Sequence, residues 1–475
     1  MNKPNFILIT TDQQRFDTVH ALGNRHIYTP HLNWLIDEGV AFTRCYSDSP
    51  ICMAARATIM TGTAGYKNGL TSNSSSVVPM RGRPTLPGVL TANGYQTRAQ
   101  GKMHFHPMRA NHGFEHMELP MEYYNEMAGG PHVPKAHGVG ENETEPVIST
   151  VDEVRSATHW TVKRSIEFLE TRDDTRPFFL WTSFAKPHPP FDPCANYWAL
   201  YQNKNLPPPV TGDWSADPAK APQGFYGPTY ILNNGYRMSD EQRLDSKRAY
   251  YACITQIDYT LGLLFGRMRE LNLLENTWII FTSDHGDMMG DHGMFAKSTF
   301  FEGSAHVPMI VRPPAAPWAK GALRGEECGS LVTLADVMPT ILGIAGIESG
   351  GMDGQNMMGL VGAKTKDRVF IGSHSNNHLA IMKDGFKYLW TREGDCELLF
   401  NMDEDPMERR DLSRKNPALA AEMRRLLVDE ICRCHPDLVR EGTRTLAPTP
   451  PPPPPRGFHK WPGFHSTKAV ADTLH

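Results

Sequence analysis

The sequence predicts an α/β fold: a large mixed β-sheet sandwiched by helices, followed by a smaller C-terminal module of antiparallel sheet plus helix. Three observations predict it. Short runs rich in β-branched and aromatic residues alternate with helical patterns along residues 1–364, the pattern of a layered α/β domain. Past residue 364 the texture changes to closely spaced strands, a tight turn and one amphipathic helix. The chain has 475 residues, 40% of them hydrophobic and 21% charged, enough for one large core and a module.

In chain order, strands are predicted over residues 6–10, 95–100, 178–184, 278–283 and 309–312. Helices are predicted over 30–38, 52–60, 151–169, 240–271 and 332–344. For 52–60, Pro50 suits the helix entry, the alanines favour its interior, and Gly62 is a stop. For 240–271, Leu244, Tyr251, Ile254, Ile257, Leu261, Leu264 and Met268 recur near the helical period. Residues 118–149 and 192–237 read as irregular, and two readings stand for them: walls of a substrate pocket, or solvated insertions. In the module (365–445), strands are predicted over 368–373, 380–383 and 386–390, with Lys383-Asp384-Gly385 as a turn and a helix over 417–434. Residues 446–475 form a proline-rich tail, which the run at 450–455 makes extended. Its aromatics Phe458, Trp461 and Phe464 leave it either free or wrapped on another subunit of a homo-oligomer.

Composition excludes some partners. A net charge of -4 gives no electrostatic ground for nucleic acid or an anionic membrane. The N-terminal apolar run is too short for a secretory signal, and the apolar region 331–347 is broken by Asp336 and Pro339. A cytoplasmic location without membrane contact is therefore expected. The eight cysteines lack a framework spacing, which fits reduced thiols. Cys432-Arg433-Cys434 has neither metal nor redox spacing and receives no role.

Chemistry gathers at five places. Cys52 opens its helix, with Arg56 one turn on and on the same face, a position suited to a nucleophile meeting an anion. Taken alone, Cys52 reads first as a buried structural cysteine, and only the rest of the chain reverses that preference. Four polar clusters each follow a predicted strand: Asp12-Gln13, Lys102 with His104, His188, and Asp284-His285. Ligands of open α/β sheets gather at such strand ends. Asp12, Gln13, Asp284 and His285 offer oxygen and imidazole ligands for a divalent cation. Arg56, Lys102, Lys297, His104 and His188 can surround an anion and move protons. The competing reading of Asp284-His285-Gly286-Asp287 is a plain polar turn, and that of Lys102-Met103-His104-Phe105-His106 a surface strand end or an unrelated His-rich metal patch.

From Asn5 to about Leu412 the chain resembles the formylglycine-dependent sulfatases of the alkaline phosphatase superfamily. The resemblance rests on Ile9-Thr10-Thr11-Asp12-Gln13-Gln14-Arg15, Thr29-Pro30-His31-Leu32, Cys52-Met53-Ala54-Ala55-Arg56 with Met60-Thr61-Gly62, and Gly101-Lys102-Met103-His104. It continues in Pro187-His188-Pro189-Pro190, in Ser283-Asp284-His285-Gly286-Asp287 through Gly293, in Lys297, Glu302-Gly303 and Val307-Pro308, and in the closing run from Glu397 to Pro406. It implies that Cys52 is oxidised to formylglycine by a maturase. The hydrate, held by metal and Arg56, attacks the sulfur of a sulfate ester, and its second hydroxyl then expels sulfate. It further implies Asp12, Gln13, Asp284, His285 and the modified Cys52 as metal ligands, and Lys102 with His104 as the pair that activates the hydrate. Lys297 and His188 would grip sulfate and protonate the leaving oxygen, with Asn73 a further sulfate contact. The implied cofactor is one divalent cation, Ca²⁺ first.

Several positions depart from the commonest family pattern. Ala54 replaces proline in the modification motif, Gln13 replaces a second aspartate, and His285 replaces asparagine, which leaves room for Mn²⁺. Gly62-Thr63-Ala64-Gly65 lacks the usual Gly-Arg-x-Pro, and His306 stands where arginine is common. Alternative readings are a phosphonate monoester or phosphodiester hydrolase of the same superfamily, against which Lys102-Met103-His104 speaks, and a catalytically silent binding protein with unmodified Cys52. The sequence does not choose among sulfated carbohydrate, aryl sulfate and alkyl or choline-type sulfate.

Overall fold

A computed structural model describes residues 3–73, 82–127, 144–217, 220–226, 238–315, 324–348, 350–363, 368–438 and 446. The α/β class predicted from the alternation of patterns is the one the chain adopts. Strands of the main body are β1 (Asn5–Asp12), β2 (Val40–Phe42), β3 (Cys45–Tyr46), β4 (Gln96–Gly101), β5 (His116–Glu118), β6 (Phe178–Pro187), β7 (Thr277–Ser283), β8 (His306–Val307), β9 (Met309–Arg312), β10 (Glu326–Cys328) and β11 (Val332–Thr333). Eight of them form one sheet in the order β10-β2-β9-β7-β1-β6-β4-β5, and β11-β3-β8 form a small second sheet. In the large sheet β7, β1, β6, β4 and β5 are parallel, whereas β9 runs antiparallel to β7.

The first strand made is thus a central one, and its sequence shows why. Phe6-Ile7-Leu8-Ile9 is apolar at every position, as a strand covered on both faces must be. Alternate side chains enter opposite cores. Phe6 and Leu8 pack with Phe179, Trp181 and Ile280 against Ala54 and Ala57 of the Cys52–Thr61 helix and against Leu86, Leu90 and Ile341. Ile7 and Ile9 pack with Leu180, Ile279 and Phe281 against Val162, Leu169, Ile257, Leu261 and Leu264, from the Ala157–Thr171 and Asp240–Glu270 helices. Each such side chain contributes roughly 1.5–3 kcal/mol by leaving water.

Differences from expectation have local causes. The helix predicted over 151–169 begins only at Ala157, because the Ser156 hydroxyl accepts the His159 N–H and caps it there. The segment predicted as a helix over 332–344 first pairs as β11, and its helix starts at Val337 after a capping box between Thr333 and Asp336. Residues 118–149, read as irregular, contain the Pro120–Met127 helix, whose Glu122, Asn125 and Glu126 hid its period. β2, β3, β5, β8, β10 and β11, two or three residues each, are too short to show alternation.

The C-terminal module is a meander of β12 (Phe370–His374), β13 (His378–Lys383), β14 (Phe386–Thr391) and β15 (Cys396–Asn401), backed by the Pro417–Cys434 helix. The predicted turn is a two-residue hairpin: Lys383 pairs with Phe386, and Asp384 and Gly385 both have positive φ, 50° and 80°. One face packs on the helix through Ile381, Tyr388 and Leu399 against Met423, Leu427 and Ile431. The other packs on the main body through Met382, Leu389 and Phe400 with Phe300 and Phe301. The expected boundary at 364 and the tail, apart from Leu446, lie outside the described residues. All eight cysteines are free thiols. Among the described residues no helix is long and apolar enough to cross a membrane.

His378 is 3% exposed, and neither ring nitrogen has a hydrogen-bond partner among the described residues. Burial, with neighbouring His374, pushes its pKa down to about 3. A depressed folded pKa means that this contribution to stability is present above the ordinary value near 6.5 and lost as pH falls toward 3. His378→Phe should therefore raise Tm relative to the parent, by a margin that widens as melts are run from pH 7 down to pH 4. A constant margin would show that His378 does not titrate against folding.

Candidate active site

The site forms where parallel strands end together. Register sets Thr11 opposite Ser283, Gly101 opposite Ser183 and Asp12 opposite Pro187, with a bulge between Thr10 and Asp12. Gly101 is required there: its φ is +93°, and an added Cβ would meet the Ser183 carbonyl oxygen at 2.0 Å. From this edge Asp12, Lys102, His188 and Asp284 emerge within one neighbourhood. The Cys52–Thr61 helix, buried along its full length, presents Cys52 at its first turn and ends at Gly62 in the left-handed conformation.

Asp12, Cys52, Asp284 and His285 each offer a ligand atom, and these four atoms lie within 4.8 Å of one another, all buried. The Cys52 Sγ is 3.2 Å from His285 Nε2 and 3.7 Å from Asp12 Oδ1. His285 Nδ1 donates to the Gly286 carbonyl at 3.0 Å, leaving Nε2 as the lone-pair nitrogen facing the cluster. Arg56, 1% exposed, locks the frame. Its Nε donates to Asp284 Oδ2 at 3.0 Å, Nη2 to Asp12 Oδ2 at 3.2 Å, and Nη1 to Ser183 Oγ at 2.7 Å and the Lys102 carbonyl at 2.5 Å. Lys102 Nζ lies 2.7 Å from Asp12 Oδ2.

Charge is crowded here. Burial works against Asp12 ionising, yet the Lys102 ammonium and the Arg56 guanidinium hold its pKa well below the usual carboxylate range. Burial and the Asp12 charge push Asp284 up to about 6. Burial and Asp12 also oppose a thiolate at Cys52, but the ammonium groups of Lys102 and Lys297 outweigh them and lower its pKa well below the ordinary thiol value. Burial, reinforced by Lys297 and Lys102, keeps His188 neutral, with its Nδ1 donating to the Pro189 carbonyl at 2.8 Å. Two carboxylates and a thiol that repel one another in a dry site form a donor set that a divalent cation would satisfy.

The remaining predicted residues are placed differently. Gln13 is fully buried, with its amide engaged at both ends by Asp287 and Lys297. Asn73 Oδ1 accepts the Met53 N–H at 3.0 Å, capping the Cys52 helix from a later segment. His104, at φ 53°, makes no hydrogen bond among the described residues. Cys52, Asn73, Lys102, His104, His188 and Lys297 all line one cavity of 610 Å³. Its outer wall carries Phe105, Met108, Leu119, Met121, Tyr123 and Tyr124, the last three from the unpredicted Pro120–Met127 helix.

Sequence reasoning overlooked Ser183 and Asp287 as individuals. Ser183 sat inside an apolar strand run without any motif. Asp287 was visible in the Ser283–Gly293 motif but received no role of its own, and only its three donors in the fold reveal its part.

Comparison with known proteins gives the family. Residues 4–347 match the family profile described as Sulfatase, and residues 290–433 that described as N-sulphoglucosamine sulphohydrolase, C-terminal. An arylsulfatase of Clostridium perfringens is 31% identical over 90% of this chain and 94% of its own. A choline-sulfatase of Rhizobium meliloti is 28% identical over 87% and 83%. Among solved structures, a phosphonate monoester hydrolase of Agrobacterium radiobacter superposes with a TM-score of 0.77 at 23% identity, covering 91% of this chain and 96% of that one. BT4656, in complex with its substrate D-glucosamine-2-N,6-O-disulfate, superposes with a TM-score of 0.71 at 21% identity, covering 92% and 99%. At such identities the structures establish a shared fold. With the profile spanning most of its residues and an arylsulfatase of that identity along nearly its whole length, the chain belongs to the sulfatase family, hydrolases of sulfate esters.

Proposed function

We propose that the protein cleaves a sulfate ester to inorganic sulfate and an alcohol with Cys52 in its formylglycine form and one divalent cation. The observation that carries this reading is the buried four-atom cluster of Asp12, Cys52, Asp284 and His285, drawn from three distant segments. Gln13, whose amide oxygen already accepts from Lys297, would have only its second lone pair left to offer such a cation. The carboxylates favour Ca²⁺, and the imidazole accommodates Mn²⁺. The formylglycine hydrate supplies an attacking oxygen and a second hydroxyl through which sulfate leaves.

The chain's own groups do the rest. Arg56 holds both carboxylates and the helix in one frame, and Lys102 and Lys297 place positive charge where sulfate oxygens would lie. An anionic sulfate beside these ammonium groups offsets the charges that keep His188 neutral, so substrate itself promotes the proton that His188 gives the leaving alcohol. His104 and Asn73 complete the cavity wall at the sulfate end. The outer wall of aromatic and methionine side chains, together with the arylsulfatase relative, supports aryl and other apolar alcohols as leaving groups.

The test combines mass spectrometry of the Cys52 peptide with sulfate release, with and without chelator, after expression beside a formylglycine-forming maturase. Thiol alone at Cys52 in active protein would sink the formylglycine reading. A phenylphosphonate ester cleaved faster than its aryl sulfate counterpart would favour the phosphonate hydrolase alternative. His188→Ala should slow alkyl sulfates about 10²–10⁴-fold, the usual worth of a positioned proton donor. Nitrophenyl sulfate, whose leaving group needs no proton, should be affected far less. Equal losses on both would remove His188 as the acid.

A further inference from the structure

Asp287 is fully buried two residues beyond His285, and three donors converge on it. Its Oδ1 accepts the N–H groups of Met289 at 2.8 Å and Ala296 at 2.9 Å, and its Oδ2 accepts from Gln13 Nε2. The other end of the same Gln13 amide, Oε1, accepts from Lys297 Nζ. An ionised carboxylate only accepts and an ammonium only donates, so a primary amide set between them is satisfied in one orientation. The backbone on either side of Lys297 is fixed as well. Ala296 and Ser298 have φ of 65° and 78°, a region non-glycine residues rarely adopt. The Ala296 N–H goes to Asp287, and the Ser298 N–H goes to the Pro50 carbonyl at 3.0 Å, beside the Cys52 helix.

We propose that Asp287 is a positioning residue for Lys297, acting on its backbone through Ala296 and on its ammonium through an amide that Asp287 keeps turned one way. The proposal rests on the reading of Lys297 as a group that grips sulfate. It goes beyond that reading in assigning Asp287 and in giving Gln13 a task toward Lys297 that is separate from any cation.

Exchange of polarity tests it. In Asp287→Asn the Oδ1 can still take both backbone N–H groups, but an Nδ2 now faces Gln13 Nε2. The Gln13 amide then turns and presents N–H to the Lys297 ammonium. Measured at saturating cation, because the turned amide also withdraws its oxygen from the cation, KM for an aryl sulfate and Ki for inorganic sulfate should rise together by about 10–100-fold, the scale of one hydrogen bond to a charged group. Gln13→Glu alone sets carboxylate against carboxylate and should be at least as weak a binder. In the double variant Gln13→Glu with Asp287→Asn, the Asn Nδ2 donates to the new carboxylate, whose other oxygen accepts Lys297, so KM and Ki should recover most of the loss. Two residues with merely structural roles would instead give losses that add. A double variant no better than the worse single, or Asp287→Asn with parental KM and Ki, overturns the proposal; should the double variant fail to fold, Ki of Asp287→Asn decides. Lys297→Ala is the companion measurement. A parental Ki there would remove the sulfate-gripping role of Lys297 itself, and the proposal with it, whereas a raised Ki there with a parental Ki in Asp287→Asn would remove Asp287 alone.

Discussion

Arg56→Met should abolish turnover and cost the fold about 3–5 kcal/mol, the usual consequence of removing one partner from a buried ion cluster. Arg56 is 1% exposed and donates to both Asp12 and Asp284, which are themselves fully buried. Without it the two carboxylates face each other, and Ser183 Oγ and the Lys102 carbonyl lose a donor. Methionine keeps much of the volume, so the loss reports charge and hydrogen bonding more than packing. The cation of the proposed function would neutralise the same carboxylates. Denaturant unfolding with and without chelator should therefore show a larger deficit for the variant when the cation is withdrawn. A variant as stable as the parent in chelator would mean that Arg56 does not balance these carboxylates.

Cys52→Ser is expected to do the opposite: leave stability nearly untouched and remove catalysis. The hydroxyl is close in size to the thiol, and the contacts of Sγ to Asp12 and His285, at 3.7 and 3.2 Å, hold no structural element together. The rate should fall by about 10⁶, the scale on which loss of a covalent nucleophile acts in other hydrolases. A serine hydroxyl that does attack would form a sulfate ester with no second hydroxyl to expel it. Rapid-quench measurements should then find at most one equivalent of alcohol released per protein, with sulfate retained on the Cys52→Ser peptide. Multiple turnovers at parental rate would show that the side chain at 52 is not the nucleophile.

Legibility followed the physics of each signal. Strands buried on both faces, such as residues 6–10 and 178–184, announce themselves because each opens on four consecutive apolar residues, Phe6 to Ile9 and Phe178 to Trp181. The long Asp240–Glu270 helix was legible because its period repeats many times. The two- and three-residue strands were not, because sheet membership there is decided by neighbours far along the chain, such as Val40 opposite Val311. In the site, residue types at strand ends indicated which groups meet. Which partner each would take was hidden. Gln13 was read as a metal ligand from its place beside Asp12, and its ties to Asp287 and Lys297 depend on a left-handed turn at φ 75°. Asn73 was read as a sulfate contact, and its oxygen caps a helix that begins 21 residues earlier.

The central place of β1 sets a timetable for synthesis. Its two neighbours, β6 and β7, lie at residues 178–187 and 277–283, so the middle of the sheet cannot close until Ser283 has emerged from the ribosome. Cys52 is only 2% exposed once it has closed. At about 5–20 residues per second, translation from Cys52 to Ser283 leaves an interval of roughly 10–50 s in which the modifying enzyme that the proposed function requires could reach the thiol on an open chain. Unmodified protein that has already folded should accordingly be a poor substrate for that enzyme, and its conversion should rise when denaturant reopens the sheet.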